Sequence, residues 1–402
     1  MNNTAYIIDV VRTPRGRGKK NSALEEVKPL NLLLPLLQHL QEKHQFDNAA
    51  VEDIIIGCTT PIGEQGSNIG KSLALYAQWS DTIAGMQVNR FCASGLESVN
   101  IAAAKIHADY ESCIIAGGVE SMSRVPMGND GGALHYDPAV SSKVNFIPQG
   151  ISADLIASLE KYSRTELDEY ALSSHIRAAE AQSKGYFKES IVPILDQNNL
   201  AILLEDETIR KDTTLEALNQ LTPSFEEMGK RGYDTVALRR YPNLDKVLHL
   251  HTAGNSSQFA DGAAAALICN ENIVAQFALQ PKAKILGTAI SSVNTTIMLT
   301  GTIPSVEKLL HKLQLQASDI DLWEVNEAFA ASVLKFQKHF NIPIDKMNVN
   351  GGVIALGHPL GATGTILIGM LIDELRRQGK KRGIVSICTG AGMGIATAIE
   401  VL

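Results

Sequence analysis

Short apolar stretches alternate with longer helical patterns along most of the chain. The stretch 5–11 predicts a strand, the helical periodicity of 30–43 predicts a helix, and the apolar run 112–116 predicts another strand. Strands that alternate with helices are typical of βαβ units, in which parallel strands are covered by helices on both faces. The pattern therefore predicts an α/β fold.

The second half of the chain repeats the order of the first half. In each half an apolar stretch is followed by a Met-x-Val-Asn segment, a helix and a second apolar stretch that ends beside glycine. We expect two similar α/β halves. The corresponding segments are 51–57 with 318–324, 86–89 with 347–350, and 112–116 with 383–387.

A more polar segment separates the two halves. It contains an amphipathic helix near 164–184, and the sequence Ser163-Arg164-Thr165-Glu166 has the spacing of a capping box at the start of that helix. We therefore divide the chain into an N-terminal α/β half, an inserted loop domain and a C-terminal α/β half. The predicted boundaries are 1–122, 123–252 and 253–402.

Composition and charge remove several classes of function. The 402 residues are 45% apolar and 20% charged with a formal net charge of −7, so nucleic acid is not an expected partner. No apolar run approaches the roughly 18 residues of a membrane-spanning helix, so no membrane span is expected. The basic run 12–20 follows a strand-like stretch, the reverse of a secretory signal, and reads as a solvated loop.

The five cysteines form no Cys-x-x-Cys pair and are scattered along the chain, so neither a zinc site nor a disulfide framework is indicated. Reduced thiols in the cytoplasm fit this usage. Cys58, Cys113 and Cys269 are predicted to be apolar packing residues.

Two cysteines and one histidine stand in glycine-rich, helix-starting sequence. They are Cys92 in Asn-Arg-Phe-Cys-Ala-Ser-Gly, His358 before Gly-Ala-Thr-Gly, and Cys388 in Cys-Thr-Gly-Ala-Gly-Met-Gly. All three are predicted at the carboxyl ends of strands, where ligands gather in open α/β sheets. A helix N-terminus and a nearby imidazole both lower the pKa of a thiol, so we expect activated thiols and acyl chemistry.

These motifs resemble those of the thiolase family, the acyl-CoA C-acyltransferases, over essentially the whole chain. Besides the Cys92 segment and 388–394, the resemblance rests on Trp-Glu-Val-Asn-Glu-Ala-Phe-Ala at 323–330 and on Asn-Gly-Gly-Val-Ile-Ala-Leu-Gly-His-Pro-Leu-Gly at 350–361. A weaker match covers 253–257 with 261–263. The resemblance implies duplicated α/β halves with mixed sheets, helices on both faces and a CoA-binding inserted domain.

The resemblance also implies a role for each reactive residue. Cys92 would be the nucleophile that forms an acyl-thioester, His358 would activate it as a base, and Cys388 would exchange a proton with the α-carbon. His358 and a water held by Asn326 would form one oxyanion hole, while the backbone N–H groups of Cys92 and Gly390 would form the other. A purely structural role for Asn326 is to cap the following helix.

Two further residues are candidates for substrate binding. By the resemblance Ser257 would lie near the pantetheine arm and Phe329 at the acyl pocket. The structural alternatives are an ordinary turn hydroxyl for Ser257 and a core aromatic ring for Phe329.

One departure from the family bears on the substrate. Many short-chain biosynthetic members have His-Met before the Gly-x-Thr-Ala-Glu segment, whereas this chain reads Pro-Gln-Gly-Ile-Ser-Ala-Asp at 148–154. The departure favours thiolytic cleavage of bulkier 3-ketoacyl-CoA, as in fatty-acid β-oxidation. Three alternatives stay open: a biosynthetic acetyl-CoA acetyltransferase, a ketoacyl synthase, which Cys388 argues against, and a non-catalytic lipid-binding subunit with the same fold.

The resemblance further implies acyl-CoA and CoA as ligands, with CoA a co-substrate and no permanently bound cofactor or metal. Family members are usually dimers or dimers of dimers, so we expect a homodimer or homotetramer. A hydratase/dehydrogenase partner subunit is a further expectation.

Overall fold

The computed structural model describes residues 3–402, and its strands and helices alternate along this part of the chain. The strands are β1 (Tyr6–Arg12), β2 (Gly16–Arg17), β3 (Asp53–Gly57), β4 (Ala84–Val88), β5 (Cys113–Ser121), β6 (Ile194–Leu195), β7 (Ala201–Leu203), β8 (Ala260–Cys269), β9 (Ala283–Ser292), β10 (Leu322–Val325), β11 (Arg382–Cys388) and β12 (Met393–Val401).

The α-helices begin with α1 (Pro29–His44), α2 (Ile69–Tyr76), α3 (Ser94–His107), α4 (Ala133–Tyr136), α5 (Pro138–Lys143), α6 (Gln149–Glu160), α7 (Arg164–Ser183) and α8 (Leu215–Asn219). They continue with α9 (Glu226–Met228), α10 (Asp234–Arg240), α11 (Glu271–Gln276), α12 (Thr302–Leu313), α13 (Ala330–Phe340), α14 (Val353–Leu356) and α15 (Thr363–Arg377). Short 3₁₀ turns span Asn48–Ala50, Gly63–Gln65, Met298–Thr300, Ala317–Asp319, Ile344–Lys346 and Gly390–Gly392, and a π-helical turn spans Gly229–Tyr233.

The large sheet contains the predicted duplication. Its strands run in the order β10-β11-β12-β9-β1-β8-β5-β3-β4, with β2 beside β8. The series β1-β8-β5-β3 and the series β9-β12-β11-β10 have the same neighbours and directions, two antiparallel pairs followed by one parallel pair. The two series meet where β1 and β9 pair over only two positions. The α/β class and the mixed sheet are confirmed.

The repeated Met-x-Val-Asn segments occupy equivalent places. Met86 lies in β4 and pairs in parallel with Ile55 of β3, while Met347 forms an isolated parallel bridge with Trp323 of β10. Both segments therefore extend the parallel end of their half, and the sequence match between them has a structural basis.

Strand pairing differs from the predicted division of the chain at residue 253. Strand β8 follows the inserted segment in sequence, yet it lies between β1 and β5 and completes the first half. The inserted segment contains α4 to α10 and the small β6-β7 pair. Within it, the predicted capping box of Ser163 and Glu166 is present at the start of α7.

Helices α3 and α15 are largely buried, and their first turns touch backbone to backbone. A β-carbon added at Gly95 would lie 2.5 Å from the carbonyl oxygen of Gly361, and one added at Gly364 would collide with the backbone nitrogen of Leu96. Thr365 Oγ1 also donates to the Gly95 carbonyl at 2.8 Å. Because only glycine allows this approach, the N-termini of the two helices share one end of the fold.

Outer helices cover both halves of the sheet. Helix α1 buries its leucines against β1, β5 and β8, and α12 packs on β9 and β12. The side chains around α3 and α15 form a further apolar cluster between the halves. These helices and apolar clusters pack on the sheet and fix the strand ends that carry the candidate residues.

The basic run 12–20 is not a solvated loop throughout. Arg12 and Arg15 are buried, and Arg12 donates to both carboxylate oxygens of Asp206 at 2.7 and 2.8 Å. The prediction is wrong for these two residues because β1 continues through Arg12 and the inserted segment covers it. Arg17, Lys19 and Lys20 are exposed, as expected.

Cys113 and Cys269 pack against each other. They face each other across β5 and β8, both are buried, and their sulfur atoms are 3.4 Å apart. Directly opposed residues of antiparallel strands meet the Cα separation that a disulfide requires.

We expect the thiol oxidant diamide, which accepts two electrons and two protons, to join Cys113 and Cys269 in a disulfide. Peptide mapping should show a 113–269 cross-link, absent in Cys113→Ser, and a cross-link between other cysteines would contradict the geometry.

A histidine–carboxylate cluster ties the inserted segment together. Asp154 of α6 accepts from His249 Nδ1 at 2.9 Å and from His251 Nδ1 at 2.8 Å, and His249 Nε2 lies 3.0 Å from Asp234. The hydrogen bond to Asp154, together with Asp234, raises the pKa of His249 from 6.5 to about 9. The folded state therefore holds a proton on His249 that the unfolded chain loses at lower pH.

This cluster predicts how stability changes with pH. The contribution of His249 to the free energy of unfolding is complete below pH 6.5 and is lost as the pH rises towards about 9. The urea concentration at the unfolding midpoint should fall between pH 6 and pH 10 in the unmodified protein (the parent). It should fall by less in His249→Gln, which lacks the titrating group. His311→Gln, on the exposed face of α12, is the matched control and should behave like the parent. Equal losses in all three proteins would contradict the assignment.

Candidate active site

Cys92 stands in a tight turn just before α3. Phe91 adopts a left-handed φ of 48°, a conformation that costs energy for an aromatic residue. The turn is held because Asn89 Oδ1 accepts from Phe91 N at 2.8 Å and Ser94 Oγ donates to the Phe91 carbonyl at 2.6 Å. Cys92 is 6% exposed, so its sulfur faces the interior beside the first turn of the helix.

Cys388 ends β11 and lies beside Cys92. It is 2% exposed, and the neighbouring Cys92 raises its pKa in addition to burial, which is the larger cause. The turn that follows directs the backbone N–H of Gly390 towards the Cys92 sulfur. In that turn Ala391 and Gly392 have φ values of 62° and 90°, which reverse the chain into β12. The two sulfur atoms and the Gly390 N–H are therefore brought together.

Both thiols are protonated in the ligand-free protein. Burial raises the pKa of Cys92 and that of Cys388 to about 12. The predicted lowering of the thiol pKa values is therefore wrong here, because removal from water outweighs the donors of the helix N-terminus. A thiolate at Cys92 needs a base that accepts its proton.

His358 has the free nitrogen that a base requires. Its Nδ1 lies 2.7 Å from Thr363 Oγ1, and that hydroxyl donates its own hydrogen to the Pro359 carbonyl at 2.9 Å. Nδ1 must then carry the proton of the neutral ring, which leaves the lone pair on Nε2. Nε2 is buried and has no hydrogen-bond partner among residues 3–402. Thr363 thus selects the tautomer that accepts a proton at Nε2.

The surroundings of His358 keep the ring uncharged. Burial, and secondly the positive charge of Arg15, lower its pKa to about 3. Arg15 reaches the same loop, because its Nη1 donates to the Gly357 carbonyl at 3.3 Å. The sequence reading placed Arg15 in a solvated loop and missed this contact.

Asn326 extends from the carboxyl end of β10, beside the end of β11. Its backbone nitrogen donates to the Ser386 carbonyl at 3.0 Å, which continues the parallel pairing of the two strands. Its side chain is 1% exposed, and neither Oδ1 nor Nδ2 has a hydrogen-bond partner within the described chain. The side chain does not cap a helix there, since the N-cap residue of α13 is Phe329.

Ser257 and Phe329 lie on neighbouring backbone segments. Ser257 N donates to the Ala328 carbonyl at 3.0 Å, and Ser256 bridges to Phe329. The Phe329 ring is 8% exposed and meets the rings of His251 and Phe225 edge-on. Phe329 is therefore at least a core aromatic, and Ser257 is half-buried at its side.

Sequence reasoning missed a buried carboxylate that links the Cys92 and His358 loops. Glu120, at the end of β5, accepts from Thr59 N at 2.8 Å and from Gly361 N at 2.9 Å. Thr59 Oγ1 in turn donates to the Phe91 carbonyl at 2.9 Å. The sequence does indicate this carboxylate, because in the run Gly-Gly-Val-Glu at 117–120 a single acidic residue ends a buried strand.

Two negative findings apply to residues 3–402. They contain no cluster of three or more His, Cys, Asp or Glu side chains arranged to hold a metal ion. No helix within this range is long and apolar enough to span a bilayer.

Comparison with known proteins gives consistent matches. Residues 5–272 match the family model described as thiolase, N-terminal domain, and residues 279–401 match thiolase, C-terminal domain. The chain is 37% identical to the 3-ketoacyl-CoA thiolase of Marinobacter nauticus over 98% of this chain and 97% of that protein. It is 34% identical to the β-ketoadipyl-CoA thiolase of Pseudomonas knackmussii over the full length of both.

Solved structures agree with these matches. The acetyl-CoA acetyltransferase of Bacillus anthracis superposes with a TM-score of 0.85 at 33% identity, covering 100% of this chain and 99% of that one. Human mitochondrial 3-ketoacyl-CoA thiolase in complex with CoA superposes with a TM-score of 0.85 at 30% identity, covering 100% and 98%. The boundary between the two family models falls after β8, in agreement with the strand pairing.

Proposed function

Since this chain belongs to the thiolase family and is an acyltransferase, we propose that it cleaves 3-ketoacyl-CoA with CoA through an acyl-enzyme on Cys92. The observation that carries the proposal is the pair of buried thiols, Cys92 and Cys388, which lie close enough at the end of the sheet for Cys92 to add to the effect of burial in raising the pKa of Cys388. One thiol accepts an acyl group and the other moves a proton, which are the two tasks of this reaction.

The first half-reaction starts from the neutral pair of Cys92 and His358. His358 Nε2 takes the thiol proton, and the sulfur attacks the 3-keto carbon of the substrate. The bond between C2 and C3 then breaks, which leaves the shortened acyl group on Cys92 and the enolate of acetyl-CoA. The unpartnered Nε2 and the Thr363 hydroxyl that fixes the ring support this assignment.

Cys388 protonates the enolate to give acetyl-CoA. A thiol with a pKa of about 12 is protonated at neutral pH and so has the hydrogen to donate. In the second half-reaction the thiol of CoA gives its proton to the Cys388 thiolate and attacks the acyl-enzyme. The Cys92 sulfur leaves and takes its proton back from His358, which releases the shortened acyl-CoA and regenerates the site. The protons balance because CoA supplies the one that Cys388 has lost.

Oxygen atoms become negative in both half-reactions, and buried donors stabilise them. We assign one oxyanion hole to the backbone N–H groups of Cys92 and Gly390, which face the space beside the sulfur. We assign the other to protonated His358 and to a water on Asn326, whose side-chain amide has spare hydrogen-bonding capacity. Ser257 and Phe329 are proposed to contact the pantetheine arm and the acyl chain.

A panel of substrates tests this function. We expect steady-state cleavage of 3-ketoacyl-CoA with chains longer than acetoacetyl-CoA at higher kcat/KM than acetoacetyl-CoA itself. A preference of about 10-fold or more is expected, since each extra buried methylene contributes roughly 1 to 3 kcal/mol of discrimination. A marked preference for acetoacetyl-CoA would favour the acetyl-CoA acetyltransferase alternative, and no activity on any of them would favour a non-catalytic subunit.

We also propose that the chain assembles as a homodimer or homotetramer. Strand β4 stands at one end of the sheet, and its residues Met86 and Val88 are only half-buried. An edge strand of this kind is a surface for association with a second copy. Sedimentation velocity should give two or four times the chain mass of 43.3 kDa, whereas a monomer would refute the proposal.

A further inference from the structure

The side chain of Gln149 reaches the turn that follows Cys388, close to the Phe91 ring, and the reaction described above leaves it without a role. Gln149 is the first residue of α6, a helix of twelve residues from the inserted segment. Its Nε2 lies 3.7 Å from the place that a β-carbon on Gly390 would occupy, and the Phe91 ring lies 3.6 Å from the same place. The amide end of Gln149 therefore reaches the turn whose N–H faces the sulfur.

The groups around the Cys92 sulfur act on its charged form in opposite directions. Burial and the negative charge of Glu120 both raise its pKa. The groups that lower the pKa are the backbone N–H groups of Cys92 and Gly390 and one side chain, Gln149. A neutral amide suits this position, because it offers an N–H donor without adding a charge that would need its own counterion.

We propose that Gln149 is a catalytic residue that donates from Nε2 to the Cys92 sulfur, stabilising the thiolate before attack and again when the sulfur leaves the acyl-enzyme. The inference rests on the proposed acyl-enzyme and extends it to a residue from the inserted segment. No proton is transferred to or from Gln149. Its contribution is greatest when the sulfur is negative, so it acts on the transition states of both half-reactions rather than on substrate binding.

The pH profile of Cys92 alkylation is the test, since it measures the sulfur directly. The rate of modification of Cys92 by iodoacetamide is followed by peptide mass in the parent, in Gln149→Met and in Gln149→Glu. Gln149→Met keeps the length and removes the donor, so the profile should move to higher pH by about one unit, a roughly 10-fold slower reaction at a fixed pH. Gln149→Glu places a carboxylate near the sulfur and should slow the reaction further.

Controls separate this role from a structural one. Gln276→Met, on the exposed face of α11, should alkylate like the parent. Steady-state kinetics of Gln149→Met should show a lower kcat with a nearly unchanged KM. An alkylation profile that superposes on the parent profile would overturn the inference, as would steady-state kinetics that change only in KM. Either result would mean that Gln149 only lines the acyl pocket.

The alkylation readout needs no thioester, so it separates the two proposals. A shifted profile in a protein that cleaves no 3-ketoacyl-CoA would refute the proposed function and leave the Gln149 contact in place. Cleavage of 3-ketoacyl-CoA with an unshifted profile would refute the Gln149 contact alone. Near-UV circular dichroism of both variants shows whether the inserted segment has kept its packing, and Gln149→Glu serves as the isosteric second variant.

Discussion

Replacement of Cys92 by serine is expected to reduce kcat/KM for 3-ketoacyl-CoA by at least about 10⁴-fold. The hydroxyl of serine is a far weaker acid than a thiol. Burial and the charge of Arg15 lower the pKa of His358 to about 3, so His358 is a weak base for removing the serine proton. Steady-state rates at saturating CoA measure the loss.

Cys269→Ala is the matched control for the Cys92 variant. Cys269 is another buried cysteine, but it lies on β8 beside Cys113, away from the N-termini of α3 and α15. Its removal should leave kcat/KM within about 3-fold of the parent, because only packing changes. A Cys92→Ser protein with more than about a hundredth of the parent activity would be inconsistent with a covalent role for this sulfur.

Replacement of Cys388 by alanine is expected to separate the two half-reactions. The variant should still accept an acetyl group from acetyl-CoA on Cys92, because the nucleophile and His358 are unchanged. Exchange of the α-hydrogens of acetyl-CoA with deuterated solvent should fall by about 10²- to 10⁴-fold, the usual contribution of a positioned acid or base. Proton NMR of the methyl group follows the exchange.

Cys269→Ala is also the control for the Cys388 experiment, and two results would contradict the assigned role of Cys388. In Cys269→Ala the exchange should proceed at the parent rate, which excludes a general effect of losing a buried thiol. Exchange at the parent rate in Cys388→Ala would assign the proton transfer to another group. Loss of acylation along with exchange would instead mean that Cys388 maintains the shape of the site.

The reactive residues could be identified before the fold because their local sequence is unusual. Cys92, His358 and Cys388 each stand beside glycine at a strand end or a helix start, and these positions follow from the alternation of strands and helices. The close contact between α3 and α15 also has a sequence signal, since it requires Gly95 and Gly364.

Other features depend on contacts between distant segments. The burial of Arg15 follows from Asp206 of the inserted segment, 191 residues away along the chain. The raised pKa of Cys92 follows from its removal from water, which no local motif reveals. The place of β8 in the first half depends on its pairing with β1 and β5, and its own sequence fits either half.

The role of Gln149 also depends on contacts between distant segments of the chain. The sequence shows only that the family's usual residues are replaced at 148–154. It takes the fold to bring the first residue of α6 to the turn after β11, where its amide lies near Gly390. A departure from a motif thus marks the position, and the packing of the inserted segment gives it a chemical function.

The most direct measurement is the mass of the protein quenched with acid shortly after mixing with 3-ketoacyl-CoA in the absence of CoA. The account predicts that the protein gains one acyl group of the shortened chain, that peptide mapping places it on Cys92, and that added CoA removes it. An acyl group on any other residue, or turnover with no covalent adduct, would contradict the account.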